Sequence, residues 1–192
     1  MKKNKKLYII PGFGESTDSK RYKEKIINKI ETLGLEVVSV KVDWDLDSID
    51  TAIQQVDKQI PKDSTGYILG FSFGAYIAAV LSPKKKLRGY FFCSLSPYFK
   101  EDLLHVPQKW KDELGKKMVM SLGQYSFPSQ SKASAWFIYG DKEGKVLSDR
   151  AGSAYAVWKG KKELITIKGV NHNLTSPKYS SAINELVKVA LF

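Results

Sequence analysis

Apolar positions along the chain alternate between two periods. Leu7 to Ile10, Val37 to Val42, Tyr67 to Phe71, Gly89 to Leu95, Ala135 to Tyr139 and Leu164 to Ile167 are short runs rich in β-branched and aromatic residues, the composition of buried strands. Helix-period segments lie between most of them. Tyr22 to Leu33 brings Ile26, Ile27, Ile30 and Leu33 to one face before Gly34 stops it. Asp47 or Ser48 caps a second helix with Ile49, Ile53, Val56 and Ile60 on one side and Pro61 behind it. Phe73 to Leu81, Ser148 to Trp158 and the segment opened by Ser176-Pro177, with Ile183, Leu186, Val187 and Leu191 on one face, complete the set. Strands alternating with helices predict the α/β class: a mostly parallel sheet of about six strands with helices on both faces. Residues 96–132 form a polar and aromatic insert, lid-like and long enough for one or two helices. No repeat or linker divides residues 1–192, so one domain is expected.

Composition changes this picture little. A hydrophobic fraction of 43% suits a folded core, and the formal charge of +11 comes from 31 Lys and Arg against 20 Asp and Glu. The lysines are scattered over turns and polar helix faces, without the interleaved aromatics of a nucleic-acid site, so solvated surface is the expectation and no nucleic-acid partner is expected. The basic start Met1 to Lys6 leads into a strand that is cut at Pro11-Gly12, unlike a signal peptide. The most continuous apolar stretch, Tyr76 to Leu81, is far too short to span a membrane. A single cysteine, Cys93, excludes an internal disulfide and fits a reducing, cytoplasmic setting.

Chemistry concentrates at the strand ends. Gly70-Phe71-Ser72-Phe73-Gly74 places a serine in a G-x-S-x-G turn between a strand and a helix, where a tight bend lifts the hydroxyl out of the sheet. A serine hydroxyl needs a base, and the chain holds two histidines. His172 follows the last strand, at the edge where open α/β sheets carry their sites; His105 sits in the insert and is expected to be structural. Backbone N–H groups can receive a developing oxyanion, and Pro11-Gly12-Phe13-Gly14 after the first strand, with Phe73 after the serine, can supply them. Gly12-Phe13-Gly14 fails as a dinucleotide fingerprint because Thr17 replaces the third glycine, and Gly140 to Lys145 fails as a phosphate loop because its glycines are misspaced and Val146 follows the lysine. No cofactor or metal is expected.

With these motifs in this order, the chain resembles the α/β-hydrolases over nearly its whole length. The resemblance implies an eight-stranded parent sheet lacking its first two strands, a nucleophile–acid–histidine order, and Phe13 and Phe73 as oxyanion donors. Pro11 departs from the histidine many members carry before that glycine. Gly140-Asp141-Lys142-Glu143 is similar to the family's G-x-x-D turn, which implies Glu143 as the acid, with Asp141 as alternative and Asp149 as a remoter one. It further implies a serine hydrolase acting on a small carboxylic ester or thioester through an acyl-enzyme. A basic surface would suit an acyl group presented by an acidic carrier. The rival expectation is an inactive member of the fold that serves as a binding or interaction protein. Trp110, Leu103, Leu104 and Val106 line an acyl pocket or pack the insert onto the core; Trp44 and Asp45 touch substrate or pack at a strand end.

Overall fold

The computed structural model describes residues 5–62 and 65–191; the basic start Met1 to Asn4 lies outside the described residues. Six strands form one sheet: β1 (Lys6–Ile10), β2 (Glu36–Ser39), β3 (Tyr67–Phe71), β4 (Gly89–Cys93), β5 (Ser134–Gly140) and β6 (Lys162–Ile167). Their order is β2-β1-β3-β4-β5-β6, and every pairing is parallel, with Leu7 beside both Val37 and Tyr67 and Gly70 beside Phe92. Seven helices accompany them among the described residues: α1 (residues 20–31, with a π-helical stretch at Lys23–Ile27), α2 (Ile49–Gln59), α3 (Phe73–Leu81), α4 (Gln108–Leu114), α5 (Lys116–Leu122), α6 (Lys145–Val157) and α7 (Pro177–Leu191).

Successive strand residues point to opposite faces, and the core divides accordingly. Tyr8, Ile10, Ile68, Tyr90, Phe92 and Phe137 share one apolar layer with α2, α3 and the end of α6. Leu7, Ile9, Leu69, Phe71, Phe91 and Ile138 share the other with α1 and α7. β3 is buried at all five positions and so reads as an unbroken apolar run. Right-handed crossovers account for the sides taken: the chain leaves β1 for β2 over one face, then returns across the other to place β3 on the far side of β1. The strand order therefore reverses around β1, and the carboxyl ends of β1 and β3 flank the crevice where such sheets take ligands.

Several boundaries differ from the sequence pattern for identifiable reasons. The run Val37 to Val42 is strand only to Ser39; beyond it the Lys41 and Asp43 N–H groups donate to the Gln59 and Gln55 side chains of α2 at 2.9 and 2.8 Å. The fourth strand ends at Cys93 because Ser94 takes a left-handed φ of 50°. α1 begins at Lys20, with Ser19 capping Tyr22 N–H at 3.3 Å. α6 starts at Lys145, behind Gly144 with φ of 88°. The insert is fastened to the core: Tyr76 Oη donates to the Leu122 carbonyl at 2.6 Å, Ile49 N–H donates to Ser121 Oγ at 3.0 Å, and Met118, Leu122 and Phe127 are buried. Arg150 of α6 is buried between the Phe99 and Phe127 rings, 5.4 and 5.0 Å from their centroids, and pairs with Asp102 at 2.8 Å. No helix among the described residues is long and apolar enough to cross a membrane.

Candidate active site

Ser72 stands between β3 and α3 with φ 54° and ψ −115°. A non-glycine residue held there carries about 1–3 kcal/mol of backbone strain, which the surrounding packing must offset. The flanking glycines show why the turn needs them. A Cβ on Gly70 would lie 2.4 Å from the Gly74 carbonyl oxygen, and one on Gly74 would lie 2.3 Å from the Ile10 carbonyl oxygen. The spacing of the motif thus reflects α3 closing directly onto its own strand and onto the end of β1. Ser72 N–H is bonded to the Cys93 carbonyl at 2.9 Å, which ties the turn to β4.

His172, in the loop between β6 and α7, reaches Ser72 Oγ with Nε2 at 3.0 Å. Its ring packs on Phe71 at a centroid distance of 4.9 Å. Neighbouring side chains brace the loop: Arg21 donates to Asn173 Oδ1 at 2.6 Å, and Thr175 donates to the same oxygen at 3.0 Å. Glu143 Oε2 lies 3.1 Å from His172 Nδ1. The Glu143 side chain is wholly buried, and Oε1 accepts from Ser94 Oγ and from Gly140 N–H, both at 2.7 Å. With a proton on His172 Nδ1, three donors converge on the two oxygens of this side chain. Ser94 Oγ is in turn 2.8 Å from Tyr179 Oη, whose proton burial retains by pushing that phenol well above its ordinary range.

The structure keeps the other acidic candidates away from the imidazole. Asp141 is exposed and accepts from Gly169 N–H at 2.7 Å, so it braces the histidine loop from behind. Asp149 pairs with Lys145 on the exposed side of α6 at 2.5 Å. His105 is exposed in the insert and does not border the serine. Cys93 is fully buried, and burial, then the charge of Glu143, drives its thiol well above the usual range, away from the thiolate a nucleophile needs.

The glycine loop after β1 is held from below. Glu15 accepts from Gly12 N–H at 3.1 Å and from Tyr22 Oη at 2.7 Å, while its carbonyl accepts from Trp44 Nε1 at 3.2 Å. Among the described residues neither Phe13 N–H nor Phe73 N–H meets a protein acceptor. The Phe13 ring packs against Trp44 and Phe73 at 5.4 and 5.3 Å. Trp44 thus packs the loop and does not line the cavity beside the serine; Asp45 is exposed.

That cavity measures ≈ 340 Å³ and opens from Ser72 and His172 toward Tyr98, Trp110, Glu113 and Leu147. α4 supplies Trp110, Glu113 and Leu114, which share one helix face by their spacing. Of the insert residues singled out by hydrophobicity, Trp110 alone borders the cavity. Val106 is buried in the core, Leu103 packs against the core near Gly123, and Leu104 is 91% exposed. Tyr98, Glu113, Leu147 and Ser96 carried no sequence signal for the site. Burial, and behind it the charge of Glu113, pushes the Tyr98 hydroxyl up to about 12, so it stays a proton donor at neutral pH. Ser96 is buried with Oγ 3.2 Å from Ser72 Oγ.

No family model matches the chain. No curated protein matches it either. Solved structures do. Est1E from Butyrivibrio proteoclasticus superposes with a TM-score of 0.78 at 15% identity, over 100% of this chain and 88% of that one. Alpha/beta hydrolase domain-containing protein 10 from mouse gives 0.78 at 11% identity, over 97% and 89%. A monoacylglycerol lipase from Paleococcus ferrophilus gives 0.66 at 16% identity, over 96% and 94%. With six parallel strands in this order and these superpositions, the chain has the α/β-hydrolase fold, with a sheet of minimal size.

Proposed function

We propose that the chain is a serine hydrolase that cleaves a small carboxylic ester or thioester through an acyl-enzyme intermediate. The observation that carries this reading is the unbroken chain from Ser72 Oγ to His172 Nε2 at 3.0 Å and from His172 Nδ1 to Glu143 at 3.1 Å, built on a serine with φ of 54°. Strained backbone is retained where the fold over-determines it, and such places cluster at active sites. The relatives in shape include a carboxylesterase, a lipase and a dienelactone hydrolase, which suits a hydrolytic use of the same fold.

In the proposed reaction Ser72 Oγ bonds to the carbonyl carbon as its proton passes to His172 Nε2. Glu143 holds Nδ1–H toward itself, so that Nε2 has a free lone pair, and it stabilises the imidazolium that forms. The electron pair displaced onto the carbonyl oxygen meets the Phe13 and Phe73 N–H groups. His172 then returns the proton to the leaving oxygen or sulfur. Water repeats the sequence to free the acid and restore Ser72. The acyl group occupies the cavity of ≈ 340 Å³, whose bordering side chains among the described residues include the Glu113 carboxylate and no lysine or arginine. Small neutral acyl groups fit that wall, and the basic exterior leaves room for an acidic carrier outside it.

The test is hydrolysis of p-nitrophenyl acetate and butyrate by the purified chain. Wild type should turn over both esters, and Ser72→Ala, folded to the same thermal midpoint, should fall to the solution background. Equal rates for the two proteins would remove the reading.

A further inference from the structure

Ser72 Oγ has two hydroxyl or imidazole neighbours, and the mechanism above uses one. The other is Ser96, two residues beyond the left-handed Ser94 at the end of β4. It is 3% exposed, borders the cavity, and holds its Oγ 3.2 Å from Ser72 Oγ. Among the described residues its hydroxyl has no other recorded partner.

The direction of this bond follows from the groups behind it. Glu143 Oε1 is filled by the Ser94 and Gly140 donors, so Oε2 takes its proton contact from His172 Nδ1–H. Neutral His172 then offers Nε2 as an acceptor, and Ser72 must spend its one hydroxyl hydrogen there. The remaining contact of Ser72 Oγ is as acceptor, which makes Ser96 the donor. We propose that Ser96 is a further catalytic residue, whose hydroxyl donates to Ser72 Oγ as the Oγ–carbon bond forms and the Ser72 proton moves to His172 Nε2; this rests on Ser72 being the nucleophile. Negative charge on Oγ is greatest during that transfer. A fixed donor is therefore worth more in the transition state than before it, and raises the rate. When Oγ has become an ester oxygen it is a poorer acceptor, and the Ser96 hydroxyl is free to turn toward the leaving group or the incoming water.

The experiment measures the second-order rate of Ser72 modification by a fluorophosphonate, which needs no knowledge of the natural substrate. Wild type, Ser96→Ala and Ser96→Thr are compared, with thermal midpoints and the modified peptide identified for each. Ser96→Ala should be modified about tenfold more slowly, equivalent to about 1.4 kcal/mol, and Ser96→Thr, which keeps the hydroxyl, should recover to within about threefold of wild type. If Ser96→Ala does not fold, Ser96→Cys, of similar size and weaker as a donor, should be slowed in the same sense. A wild-type rate in Ser96→Ala, or a loss that threonine fails to restore in a stably folded chain, would overturn the assignment. Failure of wild type itself to be modified at Ser72 is a different result and refutes the nucleophile reading beneath it.

Discussion

Replacing Glu143 by glutamine tests the acid by geometry as well as by charge. The amide must put its oxygen toward one neighbour and its NH₂ toward the other. On one side stand Ser94 Oγ and the Gly140 N–H, both at 2.7 Å from Oε1; on the other stands His172 Nδ1 at 3.1 Å from Oε2. A hydroxyl can rotate to become an acceptor, whereas a backbone N–H cannot. Turning the NH₂ toward Gly140 leaves a buried donor facing a donor, at a cost of ~1–3 kcal/mol. The NH₂ therefore faces His172, which must take the tautomer with Nδ1 as acceptor and Nε2 protonated. That imidazole cannot accept the Ser72 proton. A wrong-tautomer substitution of this kind in a chymotrypsin-type triad lowers kcat by ~10⁴-fold. At ~3 kcal/mol about one molecule in a hundred has the amide turned the other way, and that minority still lacks the negative charge that stabilises the imidazolium, so it works below the wild-type rate. The expected fall in kcat for p-nitrophenyl butyrate is thus between about 10²- and 10⁴-fold. Asp141→Asn supplies the contrast. Among the described residues its side chain accepts one hydrogen bond, from Gly169 N–H at 2.7 Å; an amide oxygen accepts it equally, and kcat should stay within about threefold of wild type. A fall of less than tenfold in a well-folded Glu143→Gln, or a large one in Asp141→Asn, would refute this reasoning.

Gly74→Ala pushes a methyl to 2.3 Å from the Ile10 carbonyl oxygen and 2.5 Å from that of Pro11; both are backbone atoms, so a loss of about 3 kcal/mol or more in urea unfolding is expected, and a stability within about 1 kcal/mol of wild type would contradict the close approach. Arg150→Ala strands Asp102 inside the joint between α6 and the insert, and should cost about 3–5 kcal/mol by the same measurement; an unchanged midpoint would show the pair to be dispensable. Glu113→Gln removes the carboxylate that borders the cavity. It should raise kcat/KM for an anionic p-nitrophenyl hemisuccinate relative to the neutral butyrate by about two- to fivefold at low ionic strength, and by little in high salt because the side chain is exposed. An unchanged ratio at low salt would remove Glu113 from substrate selection.

Periodicity conveyed the strand–helix alternation because each element buries a regular stripe: β3 is apolar at every buried position, and α2 places Ile49, Ile53 and Val56 on one face. The ends were less legible. Val40 and Val42 suit a strand, but the Gln55 and Gln59 side chains take the backbone donors at 41 and 43, a competition no local pattern announces. The turn at Ser72 was visible because two close backbone approaches each demand glycine. Ser94 and Ser96 were not, since nothing in Cys93-Ser94-Leu95-Ser96 foretells the φ of 50° that sends one hydroxyl to Glu143 and leaves the other beside Ser72. In the insert, hydrophobicity could not separate Val106, buried in the core, from Leu104, in solvent, because both lie in the turns before α4, where no regular period marks an inward face. Glu113, as a charged residue on α4, looked like ordinary helix surface until the cavity beside it was seen.

In the proposed reaction the Ser72 hydroxyl is made nucleophilic by His172 and Glu143. The most direct test of this is to treat the native chain at neutral pH with a fluorophosphonate probe and locate the adduct by peptide mass spectrometry. One adduct is expected, on Ser72, absent after heat denaturation, absent in Ser72→Ala and strongly reduced in His172→Ala. No adduct on folded wild-type chain, or an adduct on another residue that persists in Ser72→Ala, would contradict it.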